Sequence, residues 1–246
     1  ICRGSEEAKL LNNDRENKRL LPGGRFPSDL TVTDSIDMMP ATDLLIFAIP
    51  SKAFKENLRA CKNYINQYQP IILSATKGLE RDTGNRISEI IKAEVGLKQP
   101  KSIAILSGPN FAKEILNLQP SSGVVACTEL AVARHVQDLL STAHFRLYTS
   151  NDIIGVELGG ALKNPIAIGA GIVDGLELGT NAKAALATRA LAEIINLGSA
   201  AGADPATFKG LSGLGDLIAT CFSPLSRNRY VGEQIAKGKT LKEILE

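Results

Sequence analysis

Short unbroken apolar runs alternate with stretches of helical period over the first 150 residues. Leu44–Ile49, Ile71–Ala75, Ile103–Leu106 and Val124–Cys127 each read as a buried strand, and Phe145–Tyr148 as a shorter one. Between them, the stretch Lys52–Gln67 repeats apolar residues at 54, 58, 61 and 65. Gly84–Val95 places Ile87, Ile90 and Ile91 on one face, and Glu129–Leu140 continues the helical pattern. A strand whose faces are both covered has no polar side to alternate with, so its sequence is continuously apolar. Strands separated by helices pair in parallel through crossovers. The pattern predicts an α/β fold, a doubly wound and mostly parallel sheet over residues 1–150. The first two residues, Ile1-Cys2, read as the tail of a further strand.

From Asn151 onward the texture changes. Ala, Leu and Gly recur at helical spacing, and no run is bounded by turns as a strand would be. Asn151 reads as an N-cap for a helix over Asp152–Leu162, and Ala182–Leu197 as a second helix ended by Gly198. Ser226–Ala236 and Thr240–Leu245 are shorter helices. Residues 151–246 therefore form an all-helical domain, and no internal repeat is visible.

Composition narrows the classes of function. With 28 Lys+Arg against 26 Asp+Glu, the net charge of +2 gives no long-range field for nucleic acid. Aromatic residues at 4%, with no Trp, leave no stacking platform for single strands. No stretch is long and apolar enough for a transmembrane segment. The four cysteines form no CxxC and only two histidines are present, so zinc-type spacing is missing and no metal site is expected. Unpaired cysteines fit a reducing, cytoplasmic setting.

The candidate chemistry lies where strands end. In a doubly wound sheet, ligands bind beyond the carboxyl ends of the strands. Ile71–Ala75 runs into Thr76-Lys77-Gly78, and Ile103–Leu106 into Ser107-Gly108-Pro109-Asn110-Phe111-Ala112. A lysine directly after a buried strand can meet a phosphate or carboxylate, and equally can be a solvated loop residue. In the helical half, Gly159-Gly160-Ala161-Leu162-Lys163-Asn164-Pro165 sets a lysine among small and apolar positions. Desolvation moves such an ammonium toward neutral pKa and suits acid–base work; the alternative is a helix-end lysine beside the kink at Pro165. Ser226-Arg227-Asn228-Arg229 places an Arg–Asn pair behind a Ser N-cap, where a phosphate could be gripped, while Arg229 reads as a surface ion pair. Gly169-Ala170-Gly171-Ile172-Val173-Asp174-Gly175 mimics a dinucleotide fingerprint, but no strand precedes it, so it reads as a helix-packing stripe. His135 and His144 neighbour no nucleophile and read as structural.

In order and spacing, these segments resemble the bacterial-type NAD(P)-dependent glycerol-3-phosphate dehydrogenases. The segments are Asn17–Gly23, Ala75-Thr76-Lys77-Gly78, Leu106–Ala112, Gly159–Asn164, Gly213-Leu214-Gly215-Asp216-Leu217, Thr220-Cys221 and Ser226–Arg229. The resemblance implies a Rossmann-type dinucleotide domain and interconversion of sn-glycerol 3-phosphate and dihydroxyacetone phosphate for phospholipid synthesis. It implies that Lys163 is the catalytic acid–base group. Lys77, Gly108, Asn110, Lys163, Asp216, Ser226, Arg227 and Asn228 would contact substrate, although the family carries Ser or Thr where Asn110 stands. Lys77, Ala112 and Arg227 would contact the cofactor, NADP or alternatively NAD. Arg3 follows the presumed second strand, where an acidic residue favours NAD; a cation there suits the 2′-phosphate of NADP. The resemblance further implies a first strand, a glycine-rich pyrophosphate loop and a helix before Ile1, a helical tail after Glu246, and a fold that allows a homodimer. Two other readings stay open: another two-domain hydroxyacid or ketol-acid reductase, and a catalytically silent scaffold.

Overall fold

A computed structural model describes residues 1–96 and 103–245. Its elements are α1 (Ser5–Asp14), β1 (Leu44–Phe47), α2 (Ser51–Ala60), α3 (Lys62–Tyr68), β2 (Ile71–Ser74), α4 (Ile87–Val95), β3 (Ile103–Ser107), α5 (Ala112–Leu116), β4 (Ser121–Ala126), α6 (Leu130–Leu140) and β5 (Phe145–Ser150). The helical part adds α7 (Ile153–Gly175), α8 (Gly179–Ala200), α9 (Asp216–Phe222), α10 (Arg227–Ala236) and α11 (Leu241–Leu245).

The five strands lie in sequence order, β1-β2-β3-β4-β5. All neighbours are parallel except β3 and β4, which are antiparallel. That single reversal puts helices on both faces. Right-handed crossovers carry α2, α3 and α4 onto one face while the strands run one way. After the chain turns back at β4, the same handedness carries α6 onto the other face.

The continuous apolar runs follow from this. In β3, Ile103 and Ile105 join the core under α2–α4, while Ala104 joins the core under α6. In β2, Ile72 and Leu73 divide the same way, and in β4 Val124 and Ala126 oppose Val125. Each fully buried Ile or Leu stabilises by roughly 1.5–3 kcal/mol, so neither face can turn polar cheaply. The expectation of a sheet covered on both sides holds at these strands. At β1 it does not: the strand pairs on one side only among the described residues, and Ile46 is 47% exposed.

Several boundaries differ from the sequence pattern. The helix expected over 52–67 is two helices, broken at Cys61. The helix expected from Gly84 starts at Ile87, after an Arg86–Glu89 capping box. Ile1-Cys2 belongs to no strand; the Cys2 amide donates to the Thr33 carbonyl at 2.9 Å. The largest correction is α7, expected to stop near Leu162 but continuous for 23 residues through Pro165. Proline removes one hydrogen bond and crowds the preceding turn, a loss outweighed here because α8, α9 and α10 all pack against α7. The N-cap of α7 is Asp152 rather than Asn151: the Asp152 carboxylate accepts from the Gly155 amide at 2.9 Å and from the Thr207 hydroxyl at 2.7 Å.

The Gly169–Gly175 stripe is a packing surface, as its sequence suggests. A methyl group on Gly171 would stand 1.9 Å from the Arg229 carbonyl oxygen, and one on Gly232 would stand 1.9 Å from that of Ile168. α7 and α10 thus cross with their backbones in contact. A third core, with Leu158, Ala167, Ala170, Ile194, Phe208 and Leu217, holds the helical part together. Among the described residues none of the four cysteines forms a disulfide, and three of them are buried.

Candidate active site

Parallel β1, β2 and β3 bring their carboxyl ends to one edge, with Phe47 beside Ser74 and Ser74 beside Ile105. The β2 end is pinned by Thr76, whose hydroxyl donates to the Ile49 carbonyl at 2.8 Å. Lys77 leaves from there. Its ammonium donates to the Gly108 carbonyl at 3.0 Å, to Asn110 Oδ1 at 3.1 Å and to Asp216 Oδ2 at 2.9 Å. Gly108 holds φ +130°, and a Cβ there would sit 3.0 Å from the Gly123 backbone, so a side chain is excluded on both counts. The loop after β3 therefore folds tightly enough to point a carbonyl at Lys77.

Lys163 arrives from the opposite side, in the middle of α7. Its ammonium donates to Asp216 Oδ1 and, at 2.7 Å, to Thr220 Oγ1. The Thr220 hydroxyl itself donates to the Asp216 main-chain carbonyl at 2.6 Å, one turn back along α9. Lys163 is 6% exposed and Asp216 is 2% exposed. Burial, with the nearby positive charge of Lys77, lowers the Lys163 pKa to about 8, against the upward pull of Asp216. The ammonium is mid-helix, so the helix-end reading of this lysine is set aside.

Two lysines from distant parts of the chain thus share one carboxylate. Ser226 caps α10, accepting from the Arg229 amide at 3.2 Å. Asn228 donates to Asn164 Oδ1 at 2.9 Å, which ties the start of α10 to the residue after Lys163. Arg227 is exposed at the first turn of α10, Ala112 is exposed at the start of α5, and Arg3 is exposed before α1. Neither Arg227 nor Arg3 has an ion pair among the described residues. Such unpaired guanidinium groups fit a ligand that carries phosphates, as a dinucleotide and a phosphorylated triol both do. Arg229 does form an ion pair, with Asp174 at 2.6 Å, but at 18% side-chain exposure it is half-buried rather than a surface pair. His135 and His144 are exposed on and beside α6, away from these groups.

Thr220 and Asn164 receive no role from sequence alone, though both lie within the matched segments. A hydroxyl one turn after an aspartate on an apolar helix is the signal that could have found Thr220. Ser107 is read in sequence only as part of the small-residue turn after β3, a backbone anion contact or a plain turn. Its hydroxyl is buried, without a hydrogen-bond partner among the described residues, against the face of Gly160.

Residues 1–133 match the N-terminal segment, and residues 152–246 the C-terminal segment, of NAD-dependent glycerol-3-phosphate dehydrogenase. A glycerol-3-phosphate dehydrogenase (NAD(P)+) of Corynebacterium kroppenstedtii is 46% identical over 246 residues, covering 100% of this chain and 74% of its own length. One from Prosthecochloris aestuarii is 44% identical, covering 97% of this chain and 72% of its own. The crystal structure of glycerol-3-phosphate dehydrogenase from Coxiella burnetii superposes with a TM-score of 0.92 at 34% identity, covering 99% of this chain and 74% of that one. No described helix is long and apolar enough to cross a membrane. On sequence and on fold, the chain belongs to the NAD-dependent glycerol-3-phosphate dehydrogenase family.

Proposed function

We propose that residues 1–150 form the dinucleotide half and residues 151–246 the substrate half of an enzyme interconverting sn-glycerol 3-phosphate and dihydroxyacetone phosphate. The observation that carries the reading is the convergence of Lys77 and Lys163 on Asp216 beyond the strand ends. Reduction of the ketone needs a hydride at carbon and a proton at oxygen. The nicotinamide supplies the hydride. Lys77, Ala112 and Arg227 would hold the cofactor, with Arg3 at the ribose end, where its charge favours a 2′-phosphate.

Lys163 supplies the proton. At a pKa of about 8 both its forms are populated near neutrality, so it can donate in reduction and accept in oxidation. Asp216 and Thr220 hold the ammonium in place, and Asp216 stabilises its charged form. Lys77 keeps Gly108 and Asn110 oriented toward the substrate hydroxyls. Arg227, on the first turn of α10, offers a bidentate fork to the substrate phosphate, with Ser226 and Asn228 beside it and the helix N-terminus behind. The substrate recognition that phosphate implies sets this reading above a carboxylate-selective hydroxyacid reductase. As to setting and assembly, we propose a cytoplasmic enzyme working as a homodimer.

The test is Lys163→Met in the full-length protein. General acid–base assistance is worth roughly 10²–10⁴-fold, so kcat should fall at least ~100-fold while NADPH binding persists. Lys163→Arg should rescue little, because guanidinium does not release its proton. A Met variant keeping more than about a tenth of wild-type kcat would assign the proton to another group. In the wild type, reduction needs the protonated lysine, so its kcat should fall as pH rises through about 8; oxidation should rise through the same range.

A further inference from the structure

Glu157 is the one charged residue between Ile153 and Leu162, and it is 8% exposed. Its carboxylate accepts three hydrogen bonds from the start of α4: the Ser88 amide at 2.7 Å, the Ser88 hydroxyl at 2.6 Å and Arg86 Nη1 at 2.9 Å. Arg86 also closes the loop that begins at Lys77. It bridges back to Leu79, and within that loop the Glu80 amide donates to the Asn85 carbonyl at 2.9 Å. The Lys77 loop is therefore anchored at one end by Thr76 on Ile49 and at the other by Arg86 and Ser88 on α7. Positions 157, 160 and 163 are spaced by three along α7, so they lie side by side on the helix surface. Glu157 meets the Lys77 loop, Gly160 meets Ser107 at the β3 end, and Lys163 meets Asp216.

We infer that Glu157 is a positioning residue that fixes the separation of Lys77 and Lys163 by latching α7 to the loop that carries Lys77. It touches neither ligand nor reacting atom. Its effect passes through the electrostatics of Lys163, which Lys77 faces from the β2 loop, and Asp216, Thr220 and the Cys221 thiol from α9. Lys183 of α8 and Arg229 of α10 pair instead with Asp174, about three turns further along α7, while Arg227 at the start of α10 is exposed. Around Glu157 itself stand Arg86, Ser88 and, through Arg86, Glu89. Burial pushes the Glu157 carboxyl up, against the bonds from Ser88 and Arg86, so the latch is held by hydrogen bonds rather than by solvated charge. If the latch opens, Lys77 can retreat. The lowering of the Lys163 pKa by Lys77 then relaxes toward the ordinary lysine value.

This inference rests on Lys163 being the proton donor. The experiment is the pH profile of kcat for dihydroxyacetone phosphate reduction in the full-length protein, at saturating NADPH. Glu157→Ala should move the midpoint alkaline by about half a pH unit or more. Ser88→Ala, which removes one donor and leaves the apolar core intact, should move it the same way by less. Arg59→Ala removes the ion pair with Glu94 between α2 and α4 without touching Arg86, Ser88 or α7, and should leave the midpoint where it is. A role in folding alone would scale the profile down without moving it, and that result in both Glu157→Ala and Ser88→Ala would overturn the inference. An equal shift in Arg59→Ala would also overturn it. Lys163→Met, run alongside, separates the two failures. If it stays active, the assignment of Lys163 is wrong; if it is inactive while Glu157→Ala keeps the wild-type midpoint, only the latch is wrong.

Discussion

Two of the ion clusters on α7 each set one aspartate between two cations. In the first, Asp216 lies between Lys77 and Lys163, whose side chains are 22% and 7% exposed, with its own at 3%. In the second, Asp174 lies between Lys183 and Arg229, with side chains 20%, 12% and 18% exposed. The stoichiometry is the same and the consequence is not. At Asp216, burial shifts the lysine, whose pKa falls to about 8. At Asp174, burial works to raise the carboxyl but is overcome by hydrogen bonds and charge from Lys183 and Arg229, so the carboxyl ends below its ordinary value. The partial exposure of the second cluster, the Glu233 carboxylate 3.7 Å from Arg229, and the Phe222 ring 5.2 Å from Lys183 all favour fixed charges. On the proposed function, one cluster moves a proton and the other holds helices together. Burial decides between them.

The sharpest way to break this contrast is to remove the first carboxylate. Asp216→Asn leaves Lys77 and Lys163 facing each other without an anion between them. The upward pull on Lys163 disappears while that of burial and Lys77 stays, so its pKa should fall further. The pH midpoint for reduction should move acid, and kcat at neutral pH should drop by about 100-fold, the low end of what acid–base positioning supplies. A variant with unchanged kcat and midpoint would show that Asp216 is no more than a structural partner, like Asp174.

Sequence alone reaches much of this and stops at definite points. Strand and helix alternation was readable because both faces of β2, β3 and β4 are buried, which leaves an unmistakable apolar signal. The reversal at β4 was not readable, since a strand's direction leaves no mark on its residues. Lys163 was found because small and apolar neighbours surround it in sequence. Its partner Thr220 was not, because their contact spans 57 positions and only the fold brings them together. The length of α7 was misjudged for a similar reason. A proline predicts a helix end only if nothing else holds the next turn, and here three helices do. Glu157 received no role from sequence: it is a lone charge in an apolar stretch of α7, and nothing local points to the start of α4 as its partner.

The contrast also separates buried ions from exposed ones. Arg227 has no carboxylate of its own among the described residues, so its charge is available to a ligand. Arg227→Ala should raise KM for glycerol 3-phosphate by about 10- to 150-fold, the equivalent of roughly 1.5–3 kcal/mol for a charge-assisted bond. The fall in kcat should be smaller than the rise in KM, because the phosphate is held in ground state and transition state alike. Steady-state kinetics decide it. An unchanged KM would make Arg227 a solvated residue of α10.

The smallest effect is expected at the second cluster, and it concerns stability alone. Asp174→Ala leaves Lys183 without its carboxylate and Arg229 with only the longer contact to Glu233. The groups are half-buried and reachable by water, so the loss should be about 1–2 kcal/mol rather than the cost of a fully buried pair. For a chain of this size that is a fall in Tm of roughly 2–8 °C, with kcat and its pH midpoint unchanged. The pH dependence follows from the lowered carboxyl. Its stabilisation is complete above the unfolded value of 3.8 and is lost as pH falls through the still lower folded value. The difference in Tm between wild type and Asp174→Ala should therefore hold from neutral pH down to about 4 and close below it. Thermal melts across that range, with kinetics on the same samples, test both halves. A loss of kcat at unchanged Tm would place Asp174 in the chemistry and leave the two clusters without a difference in role.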